Sequence, residues 1–248
     1  MERWSGKTAV VTGASSGIGA AISVKLADAG LRVVGLARSS HLVDQLQAKV
    51  KGVGSITSLK CDISKPEEIT STFQSIEQKF GGIHVLVNNA GVIYPAHITD
   101  IGDSPMSNDE VISTLDVNVK GMMLCTRHAV ASMKKQNFNG HIININSVAG
   151  HYIPFLPNTN VYSASKHAVT AFTKALVNEL AQFGSSIKVT SISPGLVRTK
   201  MAQRDGVEID LPMLEPSDIA DTVQYVLSTP PAVNITELTV QRVSEKRI

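Results

Sequence analysis

With 248 residues, of which 43% are hydrophobic and 18% charged, the chain has the composition of a globular protein that can bury a substantial core. Its net charge of +2 is too small to indicate nucleic acid or an anionic membrane as the main partner. Cys61 and Cys125 have neither disulfide-framework nor metal-ligand spacing, and no apolar run reaches membrane-spanning length. We therefore expect a cytoplasmic protein without a metal site or a membrane segment.

Seven short runs rich in β-branched residues alternate with longer segments of helical character. Several runs lack a clean alternation of polar and apolar residues, as expected for parallel strands that helices cover on both faces. This order predicts one α/β domain over residues 1–248, with a doubly wound, seven-stranded, mostly parallel sheet and helices on both faces. The predicted strands are TAVVT (8–12), RVVGLA (32–37), SITSLK (55–60), IHVLVN (83–88), HIININS (141–147), IKVTSIS (187–193) and ELTVQ (237–241).

The helical segments carry recognisable end signals. Gly30 and Gly184 stand where a helix C-cap belongs, and Pro66 and Pro216 stand where a first-turn proline belongs. The segments that bear on the site are predicted as helices over 41–50, about 107–136 and about 160–183.

A glycine-rich loop, TGASSGIG, directly follows the first strand. Gly13 permits a tight turn, Gly17 lets backbone N–H groups approach a pyrophosphate, and Gly19 lets the next helix pack closely on the sheet. Their spacing is one residue wider than the common dinucleotide pattern, but the position between a strand and a helix predicts a Rossmann-type nucleotide site. The candidate cofactor contacts here are Gly13, Ser15, Ser16, Gly17, Ile18 and Gly19.

The end of the second strand bears on the choice of dinucleotide. Proteins that bind NAD place an acidic residue there, whereas this chain has Ala37 followed by Arg38 and Ser39. Arg38 can form charge-assisted hydrogen bonds to a 2′-phosphate, so NADP is the predicted cofactor. A solvent-facing arginine, and with it an NAD-dependent enzyme, is the alternative.

Tyr162 and Lys166 lie four residues apart in VYSASKHAV. On a helix this spacing puts both side chains on one face. A lysine ammonium one turn from a tyrosine favours the phenolate and is expected to lower the phenol pKa. For this pair in isolation, an ordinary surface helix is the alternative.

Five motifs together resemble the short-chain dehydrogenase/reductase family: the glycine-rich loop, NNAG (88–91), INSVAG (145–150), YSASK (162–166) and SPGLVRT (193–199). The resemblance implies that Tyr162 donates and accepts the substrate proton, and that Lys166 lowers its pKa and binds the nicotinamide ribose. Ser147 is implied to hydrogen-bond the substrate oxygen, and Asn118 to support a water relay that reaches the lysine.

The resemblance also implies further cofactor contacts after the later strands. Asp62 matches the aspartate that meets the adenine amino group, although an Asx-turn role is an equal alternative. Pro194 to Thr199 match a segment that faces the nicotinamide. These implied contacts are Asp62, Ile63, Asn89, Ala90, Gly91, Pro194, Gly195, Val197 and Thr199.

The substrate is expected in loops above the sheet, over about 92–106, 148–160 and 196–215. Their apolar side chains favour a mainly apolar carbonyl or alcohol, such as an isoprenoid, a steroid or an aliphatic compound. The ending ITELTVQRV resembles the farnesol-dehydrogenase and 3(17)-ketosteroid-reducing animal subgroup of the family. The candidate substrate residues are Ile93, Tyr94, Val148, Ile153 and Met201, with Phe155, Leu156 and Met213 also on these walls.

The two long helices carry small and apolar residues beyond one core face, and the family pairs such helices across two-fold axes. We therefore expect a homodimer or homotetramer. A different class, a nucleotide-binding sensor or scaffold without turnover, is the alternative to an enzyme, but Ser147, Tyr162 and Lys166 are all present.

Overall fold

The computed structural model of the chain describes residues 1–99, 101, 105–154, 158–202, 211–243 and 245. Within these residues seven strands form one sheet in the order β3-β2-β1-β4-β5-β6-β7. Every neighbouring pair is parallel, so the predicted doubly wound α/β fold is confirmed. The strands are β1 (Thr8–Thr12), β2 (Arg32–Ala37), β3 (Ser55–Lys60), β4 (Val85–Asn88), β5 (His141–Ile145), β6 (Lys188–Pro194) and β7 (Glu237–Val240).

Helices cover both faces of the sheet and create two apolar cores. They are α1 (Gly17–Asp28), α2 (Ser40–Asp44), α3 (Pro66–Phe80), α4 (Asn108–Leu115), α5 (Met122–Lys135), α6 (Asn160–Gln182) and α7 (Pro216–Ser228). Ile22 of α1 and Val223 of α7 are fully buried in one core, and Ile69 of α3 and Met133 of α5 in the other. Because each such side chain contributes about 1.5–3 kcal/mol when buried, the two layers hold the strand ends in a fixed arrangement.

The predicted helix ends are confirmed. Gly30 and Gly184 adopt φ values of +92° and +64°, which a side chain disfavours, and Pro66 and Pro216 begin α3 and α7. The helix predicted over 41–50 is wrong in part, since α2 gives way to a 3-10 turn at Gln45–Lys49. Within that turn, the Gln47 side chain accepts a hydrogen bond at 2.6 Å from the N–H of Ile56 on β3.

The single long helix predicted over 107–136 is also wrong in part. A π-helical turn, Asp116–Gly121, separates α4 from α5. Gly121 at its end packs against the backbone carbonyl of Ile63, where a Cβ atom would overlap that oxygen. This close approach is possible because residue 121 is a glycine. In the π turn the Asn118 side chain faces the chain that follows β4.

At the amino ends of the strands several buried polar side chains hydrogen-bond within the fold, although the Nδ1 of His141 has no partner among the described residues. Lys188 at the start of β6 donates to Thr229 and to carbonyl oxygens just beyond α7, at 2.7–3.4 Å. His141 on β5 lies 2.7 Å from the Thr190 hydroxyl. His84 accepts a hydrogen bond from the N–H of Thr8 at 3.1 Å. These residues are structural, and they leave the carboxyl ends of the strands as the place for chemistry.

No helix in the described part of the chain is both long and apolar enough to cross a membrane. Among the same residues, no group of three or more His, Cys, Asp or Glu side chains is arranged to hold a metal ion.

Candidate active site

Two cavities adjoin at the carboxyl ends of the strands, where the sheet order changes direction between β1 and β4. The smaller has a volume of 330 Å³ and runs from the glycine-rich loop toward β3. The larger has a volume of 610 Å³ and lies beyond β5 and β6. Tyr162 lines both, so its side chain stands at the junction.

The glycine-rich loop has the shape that the sequence predicts. Gly13 and Gly17 have φ values of +66° and +53°. A Cβ atom on Gly13 would lie 2.8 Å from the Ala90 Cα, so a side chain there would separate the loop from the segment after β4. Gly19 lines neither cavity and is buried against the Gly13 carbonyl, which agrees with its predicted close packing; its contact with a cofactor stays a prediction.

The segment after β4 fixes the loop in place. The Thr12 hydroxyl accepts hydrogen bonds from the N–H groups of Asn89 and Ala90, both at 3.0 Å. The Asn89 amide donates to the carbonyl oxygens of Thr12 at 2.9 Å and Gly13 at 3.2 Å. Asn89 and Ala90 therefore support the loop as well as lining the smaller cavity.

At the far end of the smaller cavity Arg38 and Ser39 are exposed, and Asp62 is half-buried beside them. The Asp62 carboxylate accepts hydrogen bonds from the N–H and the hydroxyl of Ser64, at 3.0 and 2.8 Å. Burial works against ionisation, but these bonds, with the charges of Arg38 and Lys65, keep the pKa of Asp62 below its ordinary value. Both roles considered for Asp62 are compatible with this geometry, since it closes an Asx turn and lines the cavity.

Lys166 is buried one helical turn beyond Tyr162 on α6. Its Nζ donates to the carbonyl oxygen of Ile145 at 3.0 Å and lies 5.7 Å from the centre of the Tyr162 ring. Burial lowers the pKa of Lys166 to about 8. Burial raises the pKa of Tyr162, against a smaller opposite effect of its hydrogen bond with Ser147. The expectation that Lys166 lowers the phenol pKa is thus not met in this structure, where desolvation dominates.

Ser147 follows β5 and caps a short 3-10 turn, Val148–Gly150. Its oxygen accepts a hydrogen bond from the N–H of Ala149 at 3.1 Å. That bond uses a lone pair, and the Ser147 hydroxyl also hydrogen-bonds Tyr162, so the two hydroxyl groups lie together where both residues line the larger cavity.

Asn118 lines neither cavity but is buried directly behind them. Its amide exchanges two hydrogen bonds with the backbone of Val92 and donates a third to the Ser165 hydroxyl at 3.1 Å. Ser165 in turn donates to the carbonyl oxygen of Tyr162 at 2.7 Å. The contacts give Asn118 a positioning role that joins the π turn, the chain after β4 and the first turn of α6.

The predicted cofactor residues otherwise divide between the two cavities. Those at the smaller cavity are Gly13, Ser15, Ser16, Gly17, Ile18, Arg38, Ser39, Asp62, Ile63, Asn89, Ala90, Gly91, Tyr162, Lys166 and Thr199. The larger cavity alone is lined by Pro194, Gly195 and Val197. Both cavities are lined by Ile18, Tyr162 and Thr199.

The substrate predictions are met only in part. Ile93, Val148 and Met201 line the larger cavity. Tyr94 and Ile153 do not: the Tyr94 hydroxyl lies 3.3 Å from that of Ser113 on α4, and Ile153 is 67% exposed. Phe155 and Leu156 lie outside the described residues, and Met213 is buried without lining the cavity. Lining residues that the sequence analysis missed are Tyr152, Pro154, Thr159, Leu196, Ala202, Leu211, Pro212 and Glu245.

A serine, a histidine and a glutamate meet next to the 3-10 turn Val148–Gly150, but they do not form a nucleophilic triad. Ser193 donates to Glu237 at 2.7 Å, and the Nε2 of His151 lies 2.8 Å from Ser193 and 3.2 Å from Glu237. One ring nitrogen faces both partners, and Ser193 is fully buried, so no base is aligned with an accessible nucleophile. The cluster instead ties the turn after Ser147 to β6 and β7.

Comparisons with known proteins agree with this geometry. A family profile described as short chain dehydrogenase matches residues 7–209. Farnesol dehydrogenase of Aedes aegypti is 50% identical, over 99% of this chain and 100% of that protein. Dehydrogenase/reductase SDR family member 11 of Mus musculus is 40% identical, over 96% of this chain and 95% of that protein.

Solved structures agree as well. An alcohol dehydrogenase from the archaeon Thermococcus sibiricus, complexed with 5-hydroxy-NADP, superposes with a TM-score of 0.85 at 25% identity, over 97% of this chain and 98% of that one. A metagenomic short-chain oxidoreductase in complex with NADP gives a TM-score of 0.80 at 31% identity, over 96% of this chain and 98% of that one.

Proposed function

Since the chain is an oxidoreductase of the short-chain dehydrogenase/reductase family, we propose that it interconverts an alcohol and a carbonyl with NADP(H) as cofactor and a mainly apolar substrate. The observation that carries the proposal is the position of Tyr162. This side chain is the ionisable group shared, among the described residues, by the cavity at the glycine-rich loop and the mainly apolar cavity.

The residues of the smaller cavity fit a dinucleotide. Gly13 keeps the loop close to Ala90, and the first turn of α1 presents backbone N–H groups and a positive dipole end to a pyrophosphate. Bound NADPH supplies a hydride to the carbonyl carbon of a substrate.

The chain's own side chains handle the proton. Ser147 donates a hydrogen bond to the substrate oxygen, and Tyr162 transfers its phenolic proton to that oxygen as negative charge develops there. Burial raises the pKa of Tyr162, which keeps the phenol protonated at neutral pH and suits the reductive direction. Lys166, 5.7 Å from the ring centre, stabilises the phenolate that remains. Alcohol oxidation reverses each transfer.

Preference for NADP is supported by the exposed Arg38 and Ser39 at the far end of the smaller cavity. Ala37 occupies the position where an NAD-binding protein has its acidic residue.

An apolar substrate is supported by the walls of the larger cavity, which include Ile93, Val148, Leu196 and Met201. One relative is named a farnesol dehydrogenase, which makes isoprenoid alcohols and aldehydes the first compounds to test. A homodimer or homotetramer also remains our proposal; Ile112 and Leu115 on α4, 55% and 43% exposed, support it.

A paired assay of NADPH and NADH oxidation tests the proposal, with farnesal, ketosteroids, quinones and aliphatic ketones as substrates. Turnover with NADPH well above that with NADH is expected, with the highest kcat/KM on an apolar carbonyl. Equal turnover with NADH would refute the cofactor assignment. Tight NADPH binding without turnover on any of these compounds would instead favour a sensor or scaffold.

A further inference from the structure

The chain beyond β7 folds back onto the active site and delivers one carboxylate to it. Gln241 follows β7 directly, and the N–H of Glu245 donates to the carbonyl oxygen of Arg242 at 2.9 Å, which closes a turn. The turn brings the Glu245 side chain alongside the segment that follows β6, 49 residues earlier in the sequence.

Three donors hold the Glu245 carboxylate in place. Its Oε1 accepts from the N–H of Leu196 at 3.2 Å and from the Gln241 side chain at 3.3 Å. Its Oε2 accepts from the N–H of Arg242 at 3.2 Å. The carboxylate also lies over Gly195, where a Cβ atom would overlap it. Gly195 therefore leaves the space that the carboxylate fills.

Among the described residues of the larger cavity, apolar and neutral side chains surround this carboxylate. Among the described residues that line the larger cavity, Glu245 is the one with a charged side chain. Its neighbours there are Leu196, Val197 and other apolar or neutral residues, and Ser147 and Tyr162 line the same cavity. Because the Glu245 side chain is only partly exposed, its charge acts on a bound molecule with less screening than in bulk water.

We propose that Glu245 is a specificity-determining residue that makes the larger cavity accept neutral alcohols and carbonyls and reject anionic ones of the same size. The proposal rests on the proposed function, since it assigns the larger cavity to the substrate. A carboxylate product or a phosphorylated compound in this cavity would face the Glu245 charge directly. At the dielectric typical of protein sites, one charge within about 10 Å changes the affinity for an anion on the order of tenfold.

The test compares octanol with octanoate, which differ in charge but little in size. Calorimetric titration of the full chain saturated with NADPH, in whose presence octanol cannot be oxidised, gives a dissociation constant for each, and their ratio is the selectivity. Glu245→Gln should lower the preference for octanol about tenfold while changing the octanol affinity less than about twofold. Glu245→Asp, which keeps the charge, should retain most of the preference.

Glu179→Gln is the matched control. It removes the same charge from an exposed position on α6, roughly 25 Å along the helix from Tyr162, and should leave the ratio unchanged. An equal ratio in wild type and Glu245→Gln would overturn the inference while leaving the proposed function intact. Failure of wild type to bind octanol at all would overturn the proposed function, and the inference with it.

A measurement on the wild-type protein guards against a variant that does not fold. Raising the ionic strength to about 1 M shortens the Debye length to about 3 Å and should reduce the preference for octanol over octanoate. Because the ratio cancels the general effect of salt on apolar binding, a preference that does not change with salt would contradict the role of charge.

Discussion

Asn118 and Val92 are joined by a pair of hydrogen bonds, in which the side-chain amide donates to the Val92 carbonyl oxygen at 2.9 Å and accepts from the Val92 N–H at 2.8 Å. These two hydrogen bonds take the place of those that a neighbouring strand would make with Val92, at the point where β4 has ended. It fastens the chain that lines both cavities to the π turn, and the third bond of Asn118, to Ser165, extends the link to α6.

Replacing Asn118 by leucine should therefore cost stability as well as activity. The change leaves both polar groups of Val92 without their partner, and the expected loss is about 2 kcal/mol in the free energy of unfolding. Urea denaturation measures the loss, and hydrogen exchange at the Val92 amide localises it. An unchanged exchange rate at Val92 would show that the pair does not order this segment.

Tyr162→Phe removes the phenolic proton and leaves the ring in place. We expect kcat to fall by about 10²–10⁴-fold, the contribution of a positioned acid, with the NADPH dissociation constant nearly unchanged. Tyr94→Phe is the matched control, because it removes a hydroxyl that contacts Ser113 and lies outside both cavities. Wild-type turnover by Tyr162→Phe would rule out the proton transfer assigned to this residue.

Arg38→Asp reverses the charge beside the expected 2′-phosphate. NADPH should bind about 100-fold more weakly while NADH binding changes little, since a charge-assisted hydrogen bond is lost and a repulsion is added. Titration of both cofactors checks this. The control Arg127→Asp makes the same reversal at an exposed position on α5. A similar loss for both cofactors would indicate damage to the fold or to the adenosine site in general.

The fold should lose stability as the pH falls below about 6.5. Burial lowers the pKa of His84 to about 4 and that of His141 to about 3, from an ordinary 6.5. Below pH 6.5 the unfolded chain takes up protons at these sites that the folded chain does not, so the free energy of unfolding decreases down to the folded-state pKa values. By pH 4.5 each histidine should cost roughly 2–3 kcal/mol.

Urea denaturation from pH 7 to 4.5 measures this loss. In His84→Gln the free energy of unfolding should fall less between pH 7 and 4.5, by the amount that one histidine contributes. This difference does not depend on how stable the variant is at pH 7. His41→Gln, at an exposed position on α2, should follow the wild-type profile. A wild-type free energy of unfolding that stays level over this range would contradict the low pKa values assigned to the two buried histidines.

Much of the fold could be predicted from local patterns. The β-branched runs gave the strands to within two or three residues, and glycine and proline marked helix ends because their backbone preferences act locally. The break between α4 and α5 had no such signal. It depends on Gly121 meeting the carbonyl of Ile63, a contact between distant segments that no periodicity in 107–136 records.

Some residues of the candidate site could likewise be predicted from the sequence, and others could not. Helical spacing places Tyr162 and Lys166 together, the family resemblance implies Ser147 beside them, and the structure brings the three to one junction. Glu245 could not be predicted, since it reaches Leu196 through a turn of the chain after β7. The sequence analysis expected Lys166 to lower the pKa of Tyr162, whereas burial of the phenol raises it. Helical spacing shows that the lysine is near, but it does not show how deeply the phenol is buried.

The sheet order also constrains how the protein is made. Of the seven strands β1 is synthesised first; it lies in the middle of the sheet, and its partner β4 begins at Val85, 73 residues after Thr12. A parallel sheet contains no hairpin, so each addition must close a long loop, which slows folding. The half that holds the glycine-rich loop can assemble early, whereas Ser147 after β5 and Tyr162 on α6, the residues proposed to handle the proton, come later. A nascent chain could therefore hold a nucleotide before it could reduce anything.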